Sequence, residues 1–181
     1  MINQLPQTPS VSRREVLKIG LCASAFLATA GVTASLSGCS SSTASNGFSV
    51  LRDSDLPFLR ALIPVMLDGS VSRSSPEAAT DATLHSADYT LAHLSPEMLK
   101  LTQQLFDVLA MAITRGPLTG IWSSWKNADA ADIRHFLHRW ENSSLDLLRM
   151  GHNALLQLVM MAWYSSAESW TQCGYPGPPK V

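Results

Sequence analysis

Residues 12–39 constrain the fold more than any other stretch, because they take the chain's N-terminal portion out of it. They read S-R-R-E-V-L-K, then an uncharged run of small and apolar residues, then L-S-G-C. A basic start, an apolar middle and a small-residue exit are the pattern of an export signal rather than of a packed element. Arg13 and Arg14 form a twin-arginine pair, an address read by a bacterial export receptor. Ser12, Arg13, Arg14, Leu17 and Lys18 fit the extended form of that motif, with Val16 where Phe is usual.

The end of the stretch, Leu36-Ser37-Gly38-Cys39, resembles a bacterial lipobox. A thiol is the nucleophile that can take a diacylglyceryl group, and small neighbours admit the peptide to a tight peptidase groove. An uncleaved membrane helix over residues 19–38 is the alternative that length allows. Gly20, Ser24, Thr29, Gly31, Thr33, Ser35, Ser37 and Gly38 leave the run only mildly apolar, which favours cleavage. Cleavage before Cys39 leaves 143 residues, enough for one domain with one modest core. The expected organisation is a signal over 1–38, a polar linker over 39–50 and a helical domain over 51–181.

Charge excludes some partners. The 13 basic and 14 acidic residues fall to 10 and 13 once Arg13, Arg14, Lys18 and Glu15 leave, a net charge of −3. No basic stripe remains for nucleic acid. Membrane attachment must then come from lipid on Cys39, and two or more acyl chains hold stably. Cys22 leaves with the signal and Cys39 is acylated, so Cys173 stands alone and no disulfide framework forms within the mature chain. Burial of Cys173 is expected, with pairing to another chain as the alternative.

Along the body, residues 40–49 are small and polar and read as flexible coil. Asp53 or Ser54 can cap a helix bearing Phe58, Leu59, Leu62 and Ile63, which Pro64 should kink or end. Ser75-Pro76-Glu77 starts a weakly apolar helix reaching about Leu91. Ser95-Pro96-Glu97 starts a clearer one carrying Leu101, Leu105, Val108, Leu109 and Ala112, with a stop at Gly116-Pro117. Trp122 and Trp125 are two large rings to bury. Asn127 or Asp129 opens a helix with Ile133, Phe136, Leu137 and Trp140 on one face and Arg134, His135, His138 and Arg139 mainly on the other. The last long helix, from about Leu145 to Tyr164, is apolar nearly all round in its second half, so it is central or covered by something else. No helix continues past Gly174. The expected fold is all-α, an irregular bundle of about five or six helices.

Reactive constellations are missing from this reading. There is no phosphate-cradling glycine loop and no G-x-S-x-G. His135 and His138 have metal-compatible spacing, but Arg134 and Arg139 flank them and oppose a divalent ion. Glu97, Asp107 and Asp146 fall on separate segments and form no evident acid/base pair. Met66, Met98, Met111, Met150, Met160 and Met161 stand at helical spacing and are expected in the core. No catalytic residue, metal ligand or bound cofactor is expected of this chain.

Trp163, Tyr164, Trp170 and Tyr175 crowd the C-terminus, followed by G-P-P. Aromatic area at low entropy cost, stiffened by proline, suits an interface; folding back over the bundle is the alternative. With the twin-arginine leader and Ile63-Pro64, this end resembles the gluconate 2-dehydrogenase subunit 3 family, small subunits of periplasmic flavoprotein dehydrogenases. The matching positions are Trp163, Tyr164, Trp170, Gly174, Tyr175, Pro176 and Gly177. The resemblance implies a non-catalytic subunit that binds an FAD-containing catalytic subunit of the glucose-methanol-choline type through those residues. It implies carriage of that subunit through the twin-arginine translocase, and a cytochrome c subunit as electron acceptor. The lipobox is a departure from the family pattern and adds a membrane-anchoring role. Two further readings stand beside this one: a free-standing periplasmic lipoprotein, and a small redox or metal protein using His135, His138 or the methionines.

Overall fold

The computed structural model describes residues 43–71 and 76–177. Ser12, Arg13, Arg14, Leu17, Lys18 and Cys39 lie outside the described residues. Among the described residues every regular element is helical: α1 (Leu56–Met66), α2 (Pro76–Ala92), α3 (Pro96–Ala110), α4 (Ala112–Thr119), α5 (Ala130–Glu141), α6 (Asp146–Tyr164) and α7 (Ala167–Cys173), with a 3-10 turn at Trp125–Asn127. The irregular all-α bundle is as expected, with five helices of at least 11 residues and two short ones.

Helix starts follow capping chemistry. The Ser95 side chain accepts from Met98 N, and that of Asp129 from Asp132 N. Each satisfies one of the donors a helix start leaves open. At α1 the N-cap position is Asp55, but its side chain makes no cap bond. Pro64 does not end α1; the helix runs on to Met66. So close to the C-terminus, the bond forfeited by the missing N–H is among the last that α1 makes.

The stop expected at Gly116-Pro117 falls elsewhere. The chain breaks at Met111, which is extended (φ −68°, ψ 129°), and Gly116 and Pro117 sit inside α4. Side chains take the carbonyls that the break frees: Thr114 Oγ1 donates to Val108 O (2.7 Å) and Trp125 Nε1 to Leu109 O (2.8 Å). These donors lie beyond α3, which local pattern could not reveal.

The core gathers on α6, which packs against α2, α5, α7 and α1. Edge-on and tilted rings run through it: Phe106 to Phe58 (5.2 Å), Phe58 to Trp125 (6.1 Å), Trp125 to Phe136 (6.2 Å), Phe136 to Trp140 (4.9 Å). Gly151 of α6 lies under Trp140, where an added Cβ would come within 2.7 Å of Cζ3. Only glycine lets the ring seat so closely. Trp140 Nε1 donates to Leu118 O at 2.8 Å, so the indole buries without an orphaned donor.

The later part of the segment expected to be coil is tied down. Asp88 of α2 accepts from three successive backbone N–H groups, Ser49 (2.7 Å), Val50 (2.8 Å) and Leu51 (2.9 Å). Ser45 N donates to Leu51 O (2.7 Å), and Phe48 stacks on His85 with centroids 4.8 Å apart. The composition of residues 43–50 favours coil, but one buried carboxylate on a distant helix overrides it.

Candidate interaction surface

α6 has two apolar faces. Gly151, Leu155, Val159, Ala162 and Trp163 face the core. On the opposite side Leu147, Met150, Ala154, Gln157, Met161 and Tyr164 recur at alternating steps of three and four. That is the a/d spacing of a helix that packs along another helix. Leu147 is 77% exposed, Met150 66%, Met161 61% and Tyr164 45%. The methionines expected in the core are therefore divided. Met66 and Met160 are half-buried, while Met98, Met111, Met150 and Met161 face outward. Exposed methionines are flexible and polarizable, which suits a contact surface.

The tail joins this row at Tyr164. Trp170 Nε1 donates to Tyr164 O at 2.9 Å. Gly174 turns the chain with φ +71°, Tyr175 N returns to Trp170 O (3.0 Å), and the Tyr175 ring stands edge-on to Trp170 at 5.6 Å. Gly177 passes so near that an added Cβ would be 3.3 Å from Trp170 Cζ3. Pro176 lies on the surface and Tyr175 is half-exposed. Trp163 separates from the other six tail residues: it is fully buried and serves the core. Cys173 is exposed, against the expected burial, because it ends α7 at the surface.

No family model, curated protein or solved structure matches the chain. Its surfaces must therefore be argued on their own chemistry.

The other candidate residues stay apart. Arg134, His135, His138 and Arg139 are exposed on α5. Among the described residues no three His, Cys, Asp or Glu side chains converge where they could hold a metal ion. No described helix is long and apolar enough to cross a membrane. Glu97 is exposed, and Asp146 pairs with Arg149. Asp107 has a partner that sequence reading missed. It accepts from Arg52 Nη2 at 2.7 Å, and Arg52 also grips Asp55 in a two-pronged contact, Nε to Oδ2 and Nη2 to Oδ1, both 2.9 Å. The Asp55 hydrogen bond, then its charge and that of Asp107, outweigh burial and raise the Arg52 pKa above its ordinary value. This largely buried cluster ties the start of α1 to α3, with Asp107 40% exposed at its edge.

Burial opposes ionisation of Asp88, but its three backbone donors together outweigh that and hold the carboxyl below its ordinary value. Trp122, expected in the core, is 77% exposed. Gly116 seats one face of its ring, 2.6 Å from where a Cβ would stand, and leaves the other face open. A groove of about 690 Å³ between α1 and the 3-10 turn is lined by Pro57, Ala61, Pro64, Val65, Trp125 and Lys126 among others. Its charged lining residues are Asp53, Arg60 and Lys126.

Proposed function

We propose that this chain is a non-catalytic accessory subunit of a periplasmic dehydrogenase. It assembles in the cytoplasm with an FAD-containing catalytic subunit of the glucose-methanol-choline type and carries it through the twin-arginine pathway. Lipid on Cys39 then anchors the assembly, and a cytochrome c subunit takes the electrons. The observation that carries this reading is the outward row Leu147, Met150, Met161 and Tyr164, joined to the aromatic tail at Trp170 and Tyr175. A small exported body has little reason to keep such a row unless a second protein covers it. The twin-arginine route moves folded cargo, which suits a flavoprotein that must take up FAD before export.

Affinity capture of the tagged chain should bring down a flavoprotein of several hundred residues with its yellow absorbance. Replacing Arg13 and Arg14 by lysine should strand both proteins in the cytoplasm. A stable monomer without a partner, or continued export of the flavoprotein, overturns the reading. The free-standing lipoprotein alternative requires the tail to close over its own bundle. Trp163 does so, whereas Tyr164 and Tyr175 remain half-exposed.

A further inference from the structure

The folded body begins very near Cys39. Ser45 N donates to Leu51 O at 2.7 Å, and Phe48 N donates to Ser45 O at 3.0 Å. Ser45 Oγ also bonds the Asp53 carboxylate. The chain is thus held beside Phe48 from Ser45 onward, and Asp88 fastens the next turn of backbone to α2. Between Cys39 and Ser45 lie six residue steps, which span at most about 21 Å at full extension. A folded unit of this length is about 37 Å across, from a radius of gyration near 14 Å. A tether shorter than that width cannot let the far side of the unit face its anchor.

The surface beside the attachment point is suited to headgroups. Phe48 stacks on His85, and one turn farther along α2 Tyr89 packs on His93 with centroids 4.2 Å apart. Tyr89 is 69% exposed. The exposed positions of this face are Asp81, His85, Tyr89 and Ala92 of α2 and His93 just beyond it; Asp81, its one carboxylate, is paired with Arg60 at 2.6 Å. Asp88 is buried with its oxygens occupied, and Asp53, the exposed carboxylate nearest the departing chain, is engaged by Ser45. Tyrosine concentrates at membrane–water boundaries because its ring is apolar and its hydroxyl is wet. A row of aromatic and imidazole rings whose one carboxylate is paired with an arginine meets a phospholipid surface with little like-charge repulsion.

We propose that the face of α2 bearing Phe48, His85, Tyr89 and His93 lies against the headgroups of the bilayer that anchors this protein. The tether keeps the attachment side of the unit toward the bilayer, and the ring-bearing face beside it makes the contact. The inference rests on lipidation of Cys39.

The test uses the full lipidated chain carrying Cys173→Ser, with one fluorophore on a new cysteine at Tyr89→Cys, Ala92→Cys or His135→Cys. His135 sits on α5, whose main partners are α1 and α6. Vesicles of phosphatidylethanolamine and phosphatidylglycerol carry an acceptor on their headgroups. Energy transfer from positions 89 and 92 should clearly exceed that from 135. Inserting about 20 Gly/Ser residues before Thr43, a coil of roughly 25 Å, should erase the difference. Ala92→Cys spares the rings, so its result stands even where Tyr89→Cys disturbs packing. Equal transfer from both faces, or stronger transfer from 135, overturns the orientation while leaving the anchor intact. Absence of diacylglyceryl on Cys39 by mass spectrometry, with no flotation on vesicles, overturns the anchor and this inference together.

Discussion

The strap at residues 43–52 and the outer face of α6 are opposites. The strap is polar in sequence, and its bonds close within the chain: Asp88 takes three backbone donors, and Arg52 is shared between Asp55 and Asp107. The outer face of α6 is apolar in sequence and stays open, with Leu147, Met150 and Met161 each more than 60% exposed. Polar groups that bury must find partners or lose their hydration at a cost, so the strap is satisfied locally. Apolar groups face no such demand and can wait for a second protein. The more hydrophobic region is thus the one left outside, and it is the one that carries the functional reading.

Four changes should break or sharpen this contrast. The largest effect belongs on the closed side. Arg52→Ala leaves Asp55, which is 1% exposed, without its counter-charge, and should cost about 3–5 kcal/mol in denaturant unfolding. The double variant Arg52→Ala/Asp55→Ala should recover part of that; no recovery would show that Asp55 is not the group left stranded.

On the open side, replacing Leu147, Met150 and Met161 together by Glu should weaken capture of the partner by about 100-fold. Melting of the isolated chain should barely move, because each site is exposed. A large fall in melting temperature would reassign the row to the chain's own stability.

Asp88→Asn comes next, at about 2 kcal/mol, because the amide offers one oxygen to three donors and sets N–H against N–H. The folded carboxyl of Asp88 is held below its ordinary value, so its stabilisation is complete above the usual carboxylate range. It is lost as pH falls through that lowered value. The variant should therefore lose less stability than the parent as pH falls below the ordinary carboxylate range, and its amides at Ser49, Val50 and Leu51 should exchange faster. An unchanged acid limb would remove Asp88 from the account.

The smallest effect is Cys173→Ser, within about 0.5 kcal/mol because the thiol is exposed. The native parent should react with a maleimide at once; a thiol reactive only after unfolding would contradict the surface position.

Much of the bundle is legible in the sequence. Ser95-Pro96-Glu97 and Asp129 announce helix starts, and the structure places caps at both. Ile133, Phe136 and Trp140 share one buried face, as their spacing requires. Periodicity says less about α6. A helix apolar on two sides satisfies the core with either, and local sequence cannot choose between them. The heptad row 147, 150, 154, 157, 161 and 164 was present as spacing, but only the docking of α2 and α5 on the other face marks it as exterior. The same limit sent four methionines and Trp122 to the core on paper. The strap was illegible for a different reason: its composition describes the coil it would be without Asp88, 38 residues from Val50 along the chain.

The sequence by itself determined that the body is helical and where its main helices begin. These are local properties, set by capping, period and short motifs. Tertiary structure alone decided which side of α6 faces water, which carboxylate closes the strap, and how near the folded body begins to Cys39. Each of those depends on groups distant in sequence competing for the same space or the same donor, and no window along the chain contains both competitors.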